Sequence, residues 1–239
     1  MKYKYPLLPL LFTAISFLAH AQPSPEEEEP VYTFQVIGWN RTHLDMFYLE
    51  EGGPRTLRLI QRTPSPPQHI AGTEKIQFYI PVETEEGSRP YLLTEATLYP
   101  PPARNLIVIW LNQNRKYQSV VLKDDPDTPA PGKLRLVNLS GHELRLKAND
   151  DPIISMHPGA IEIITPKNEG VGLKIAILKT PNSGWKLGLL NAITVRKNDR
   201  VTAFIADPSK IAPTLEETAT NAQTDTSPLT LFVIKNRAK

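Results

Sequence analysis

Proline recurs too often along this chain for any long helix to be laid across it. There are 24 prolines among 239 residues, about twice the usual share, and each would remove a backbone donor and clash with the preceding helical turn. Between them lie short runs rich in Val, Ile, Leu, Tyr, Phe and Thr, at 31–39, 76–82, 106–111, 117–122, 134–139, 160–164, 172–178, 200–206 and 229–234. Their length and two-residue alternation predict β-strands. The best helical stretch, 211–222, is short, mostly polar and interrupted by Pro213. A content of 40% hydrophobic and 22% charged residues excludes both a disordered tail and a multi-span membrane protein. The absence of cysteine excludes a disulfide framework, a thiolate zinc site, a cysteine nucleophile and a lipidated N-terminal cysteine.

The first residues read as a secretory leader. Lys2 and Lys4 precede an apolar run from Pro6 to Leu18, and Ala19-His20-Ala21 places small residues at a signal peptidase site. Cleavage is expected after Ala21. The run is short for a retained membrane anchor and holds two prolines, and no other stretch reaches transmembrane length. Residues 22–30, with the run Glu26 to Glu29, have no apolar side chain to bury and read as an acidic disordered tail. Removing the leader leaves 25 basic against 25 acidic residues, so the mature chain is formally neutral and carries no nucleic-acid footprint.

The two halves of the remainder echo each other. Val36 to Thr42 lines up with Leu134 to Ser140, pairing Asn40 with Asn138. Ile76, Phe78 and Ile80 match Leu173, Ile175 and Ile177, Tyr91 to Leu93 match Trp185 to Leu187, and Leu106, Val108 and Trp110 match Val201, Ala203 and Ile205. The offsets of 98, 97, 94 and 95 are in one order along the chain, the mark of a duplication. A repeat of roughly 95–100 residues with about seven strands is the size of an immunoglobulin-like β-sandwich. The expected architecture is therefore all-β: two tandem immunoglobulin-like sandwiches at 31–124 and 133–239, joined by a polar, proline-rich linker at 125–132. A single larger sandwich built from both halves is the alternative. The polar stretch 207–228 is too long for a hairpin and reads as a disordered insertion or a functional loop.

No constellation of catalytic residues emerges. His157 lies in a Met-His-Pro-Gly turn, His69 in a loop without acidic neighbours, and His43 and His142 fall one per repeat, so no metal site is expected. Nucleophile-elbow, dinucleotide and Walker motifs are absent. Asp124-Asp125 and Asp150-Asp151 read as turn formers rather than a glycosidase pair. Asn40-Arg41-Thr42 and Asn138-Leu139-Ser140 match the N-glycosylation pattern, but an asparagine closing a strand also suits a side-chain-capped turn. Trp39, Trp110 and Trp185 fall in or beside strands, where packing is the default. Residues 22–131 carry 15 acidic and 10 basic side chains and residues 132–239 carry 10 and 15. That opposition reads either as charge complementarity, between the halves or between molecules in a charge-driven self-association, or as a side effect of the glutamate tail.

The run Gly132 to Ser140, then Leu144-Arg145-Leu146-Lys147 and His157-Pro158-Gly159, resembles uncharacterised exported β-sandwich modules of bacteria. Those open on a strand ending in Val-Asn-x-Ser and place a Pro-Gly turn about twenty residues later. The likeness lies mainly in the second half and implies a fold and an export route, with no activity to carry over. Taken together, these readings predict an exported, periplasmic or extracellular, non-enzymatic protein that binds or scaffolds an envelope partner, without cofactor, metal, nucleic acid or membrane span. A periplasmic chaperone or assembly factor is the alternative, although the subunit-gripping positions of pilus chaperones are not found. A carboxylate-based hydrolase is the third reading.

Overall fold

A computed structural model describes residues 29–178, 180, 184–212 and 227–237. The expected leader and nearly all of the acidic tail lie outside these residues. The described residues are almost wholly β, as the alternation predicts, and the first half holds eight strands where about seven were expected. These are β1 (Val31–Gly38), β2 (His43–Glu50), β3 (Gly53–Leu59), β4 (Gln68–Ala71), β5 (Lys75–Thr84), β6 (Gly87–Thr97), β7 (Arg104–Leu111) and β8 (Tyr117–Lys123). The second half repeats the set: β9 (Lys133–Asn138), β10 (Glu143–Ala148), β11 (Ile154–Met156), β12 (Ile161–Ile164), β13 (Gly170–Leu178), β14 (Lys186–Thr194), β15 (Asp199–Ala206) and β16 (Thr230–Arg237).

Four four-stranded sheets result, in the orders β4-β1-β7-β8, β3-β2-β5-β6, β12-β9-β15-β16 and β11-β10-β13-β14. Shifting every strand by eight places converts the first two orders into the last two. The details repeat as well. β1 pairs in parallel with β7 as β9 does with β15, and a bulge falls between Phe78 and Tyr79 in one half and between Ile175 and Ala176 in the other. A bulge reproduced at the same rung is a designed feature.

The register of the repeat differs from the sequence alignment at three of its four anchors. Val36 pairs with Ile107 as Leu136 pairs with Ala203, and these four share the same role in their respective cores. The offsets are therefore 100 at β1 and 96 at β7, with Tyr91 matching Lys186 at 95. The reading of Leu106 against Val201 crossed faces, because a one-residue slip moves a side chain to the other side of the sheet. Asn40 and Asn138 are consequently not equivalent.

Each half is a sandwich around its own core, with Phe34, Met46, Tyr48 and Phe78 prominent in the first and Leu136, Leu146, Ile175 and Ala203 in the second. A third apolar cluster joins them. Ile37, Trp39, Leu106, Val108 and Leu122 of the first half meet Val137, Phe204, Phe232 and Ile234 of the second. Trp39 stacks on Phe232 with ring centroids 5.0 Å apart. The β1-β7 and β9-β15 sheets are thus buried on both faces, which is why their strands read as nearly continuous apolar runs. The molecule is a four-layer stack: outer sheet, inner sheet, inner sheet, outer sheet.

Two polar clasps flank this junction. Arg135, 1% exposed, sends Nη2 to Asp124 Oδ1 at 3.1 Å, Nε to Thr202 Oγ1 at 3.0 Å and Nη1 to the Lys123 and Thr128 carbonyls. Arg200 Nη2 also donates to Asp124 Oδ1 at 3.1 Å, and its Nε reaches the Pro129 carbonyl at 2.9 Å. Burial pulls the Arg135 guanidinium below its ordinary pKa while Asp124 opposes the shift. Residues 125–132, read from the sequence as a polar, proline-rich linker, form turns wrapped on two arginines. At the other end of β7, Asn40 Nδ2 donates to the carbonyls of Leu111 (2.9 Å) and Ala212 (2.6 Å), and its Oδ1 accepts from Leu111 N. The stretch read as a polar loop from 207 therefore begins with a pinned 3-10 turn at Pro208–Lys210, capped by Asp207. Residues 213–226 of that loop lie outside the described residues.

Candidate functional site

The residues weighed from the sequence as chemical candidates do not converge. His43 Nε2 lies 2.5 Å from the Tyr117 hydroxyl. Burial, assisted by Arg41 against Asp45, lowers the His43 pKa, and burial raises that of Tyr117. The imidazole and the phenol share this hydrogen bond in the neutral state that burial favours for both. His142 Nε2 sits 3.3 Å from Asp207 Oδ2, His157 Nδ1 is 2.7 Å from Glu143 Oε1, and His69 Nδ1 is 3.2 Å from Thr33 Oγ1. Burial pushes the Asp207 carboxyl up, but hydrogen bonds from Ser209 and His142 outweigh it and hold the group below its ordinary range. No three His, Asp or Glu side chains gather at metal-binding spacing among the described residues.

The carboxylate pairs are likewise dispersed. Asp124 serves the two arginines, Asp125 Oδ1 accepts from Arg104 N at 2.8 Å, and Asp151 accepts from Lys167 Nζ at 2.8 Å. The described residues include two shallow concavities. One of about 280 Å³ is lined by Leu49, Lys75, Ile76, Gln77, Tyr79 and Glu95, and one of about 360 Å³ by Thr194, Arg196, Asp199 and Lys235. Each contains one carboxylate.

Both sequon asparagines are buried and occupied. Asn138, 0% exposed, donates Nδ2 to the carbonyls of His142, Met156 and His157, and its Oδ1 accepts from Ser140 N and Oγ. This is the capped turn the sequence suggested, enlarged to hold two loops. Neither side-chain nitrogen is free to carry a glycan in the folded chain.

What the molecule does present are the outer faces of its two outer sheets. Cross-strand partners share a face, so the register places Arg145, Ala176 and Leu187 in one outward row and Lys147, Lys174 and Leu190 in the next. Leu187 and Leu190 are each 64% exposed. The Arg145 guanidinium lies 4.4 Å from the centroid of the Trp185 ring, a cation–π contact. The matching rung of the first half carries Phe47, Tyr79 and Leu92, with Gln77 and Glu95 on the next. Phe47 and Tyr79 stack at 5.6 Å. The alternation of Leu144-Arg145-Leu146-Lys147 already placed two cations on one face. The sequence did not reveal that β13 would set Lys174 beside them, because that depends on long-range register.

The first half adds an arm. β2 pairs β5 only at Phe47–Tyr79 and Tyr48–Phe78, while β5 and β6 continue together to Thr84 and Gly87. Every residue from 81 to 92 is exposed. Val82, Tyr91 and Leu92 are large apolar members of this ribbon, and Glu83, Glu85 and Glu86 surround its tip, with Arg89 paired to Glu86. Pro81 stands directly opposite Pro90. Since neither can donate, theirs is a non-hydrogen-bonded rung whose missing N–H groups would have pointed outward. Both edges of the arm are thereby guarded against strand addition.

In comparison with known proteins, the chain matches no family model and no curated protein sequence.

Proposed function

We propose that this chain is a non-enzymatic exported protein that binds or scaffolds a component of the cell envelope. The observation that supports this reading is the two-sided burial of the inner sheets. The apolar junction and its clasps make the two sandwiches one stiff block, which leaves the outer faces and the arm as the surfaces available to a partner. Exposed Leu187, Leu190, Val82, Tyr91 and Leu92 lie on those surfaces among charged side chains, the composition of interaction patches rather than of inert surface. Strand-edge pairing at the arm is disfavoured by Pro81 and Pro90, so recognition runs through side-chain faces. Export rests on the leader pattern of residues 1–21.

The test is sedimentation of the purified mature chain, residues 22–239, with isolated envelopes of the source organism. Saturable binding, competed by unlabelled protein, is expected. Absence of binding, or uptake linear in concentration, would overturn the reading.

A further inference from the structure

Lys147 and Lys174 face each other directly across β10 and β13. Neither has an ion-pair partner among the described residues, and like charges on one rung destabilise a sheet. Arg145 extends the cationic strip along β10, while exposed Leu187 and Leu190 on the edge strand β14 supply an apolar border. The nearby outward acid, Glu143, is already bound by His157. The face is therefore built for an occupant that sets negative groups over its central strands and apolar groups along one edge.

Such a surface exists on the same chain. The arm carries Val82, Tyr91 and Leu92, with Glu83 and Glu85 at its tip beside Glu86, which Arg89 pairs. At its base the Phe47–Tyr79 stack offers aromatic faces, and cations dock on those. The two surfaces cannot meet within one molecule. They lie on opposite outer sheets of a four-layer stack, roughly 30 Å apart at about 10 Å per layer.

We infer that copies of the chain associate head to tail, the Arg145/Lys147/Lys174 face of one copy receiving the acidic arm and aromatic face of the next. The contact is heterologous, so it propagates unless its rotation closes a ring. Charge supplies the orientation and makes the assembly sensitive to salt. This inference concerns purified protein alone and stands or falls separately from envelope binding.

Sedimentation velocity of the mature chain tests it at about 0.05 M and about 0.5 M salt, between which the Debye length shrinks about threefold. At low salt the mass should rise with concentration above that of one chain, and at high salt it should return to one chain. Two charge-reversed variants complete the test: Lys147→Glu/Lys174→Glu, and Glu83→Lys/Glu85→Lys/Glu86→Lys. All these residues are on the surface, and circular dichroism melts confirm folding before use. Each variant alone should remain a single chain at low salt, and an equimolar mixture should regain association because each reversed face finds an opposite partner. A wild-type chain that stays single at low salt overturns the inference. So does a mixture that stays single, or a reversed variant that associates like the wild type. A single chain that instead binds vesicles containing an anionic phospholipid through Lys147 and Lys174 also overturns it, assigning the face to a membrane surface.

Discussion

The two halves share strand order, parallel pairing and bulge position, yet matched rungs of their outer sheets hold opposite chemistry. Phe47 and Tyr79 stand where Arg145 and Ala176 stand, and Glu95 occupies the place of Leu190. The inner sheets differ far less: their four long strands are mostly apolar on both faces, with Arg135 and Thr202 as buried exceptions joined by a hydrogen bond. The contrast teaches where each constraint acts. Inner-sheet positions answer to the core and the junction, so they take shape-compatible apolar residues or polar ones whose hydrogen bonds are satisfied, as at Asn105, Arg135 and Thr202. Outer positions answer to whatever the molecule touches.

The largest expected effect is at the clasp that binds the halves. Asp124→Ala leaves Arg135 and Arg200 desolvated without their shared counter-charge, which should destabilise the chain by about 3–5 kcal/mol. Urea denaturation would measure it. A loss under about 1 kcal/mol, the range of surface pairs, would show that the clasp is peripheral and the halves independent. Phe232→Ala, in the apolar junction, should cost about 3–5 kcal/mol and affect both halves. If only the second half melted earlier, the shared core would not couple them.

A smaller contrast lies in the histidines. His43, in the first half, has a lowered folded pKa, so below about pH 6.5 the unfolded chain takes up a proton that the folded chain resists. Its contribution therefore falls as pH drops from 7 through that value toward the lower folded one. His157, in the second half, is raised by its hydrogen bond to Glu143. Its contribution is complete below about pH 6.5 and disappears as pH rises through the folded value. His43→Gln should flatten the acid limb of the stability profile between pH 7 and 5, and His157→Gln should leave that limb standing. A limb unchanged in His43→Gln would remove burial of that ring as its source. The smallest effect expected is a gain: Lys147→Glu converts a repulsive rung into an opposite-charge pair worth roughly 0.2–1 kcal/mol. A melting temperature that falls instead would mean Lys147 already has a stabilising role in the sheet.

Much of this architecture is legible in the residues. The continuous apolar runs at 106–111 and 203–206, set against alternation at 76–82 and 172–178, distinguish inner from outer sheets once two-sided burial is considered. β4 and β11 are too short to show a period, and β3 holds only two large apolar residues, Leu57 and Leu59, so all three escape a reading by pattern. The repeat register fails at β7 for a related reason: where both faces are apolar, a slip of one residue leaves the pattern looking unchanged although every side chain changes side. At β1 the slip is of two residues, which keeps the faces and so leaves no trace in the alternation. Arg135 reads as an outward residue between Leu134 and Leu136, and only the turn that follows β8 makes it the centre of a buried clasp. The surface pairing of Lys147 with Lys174 depends on contacts between distant strands, which no local window contains.

Calorimetry of residues 22–239 tests most directly whether the junction fuses the two sandwiches into one unit. The shared core and clasps predict a single unfolding peak whose calorimetric and van't Hoff enthalpies agree. Two resolved peaks, each with the enthalpy of one half, would contradict it.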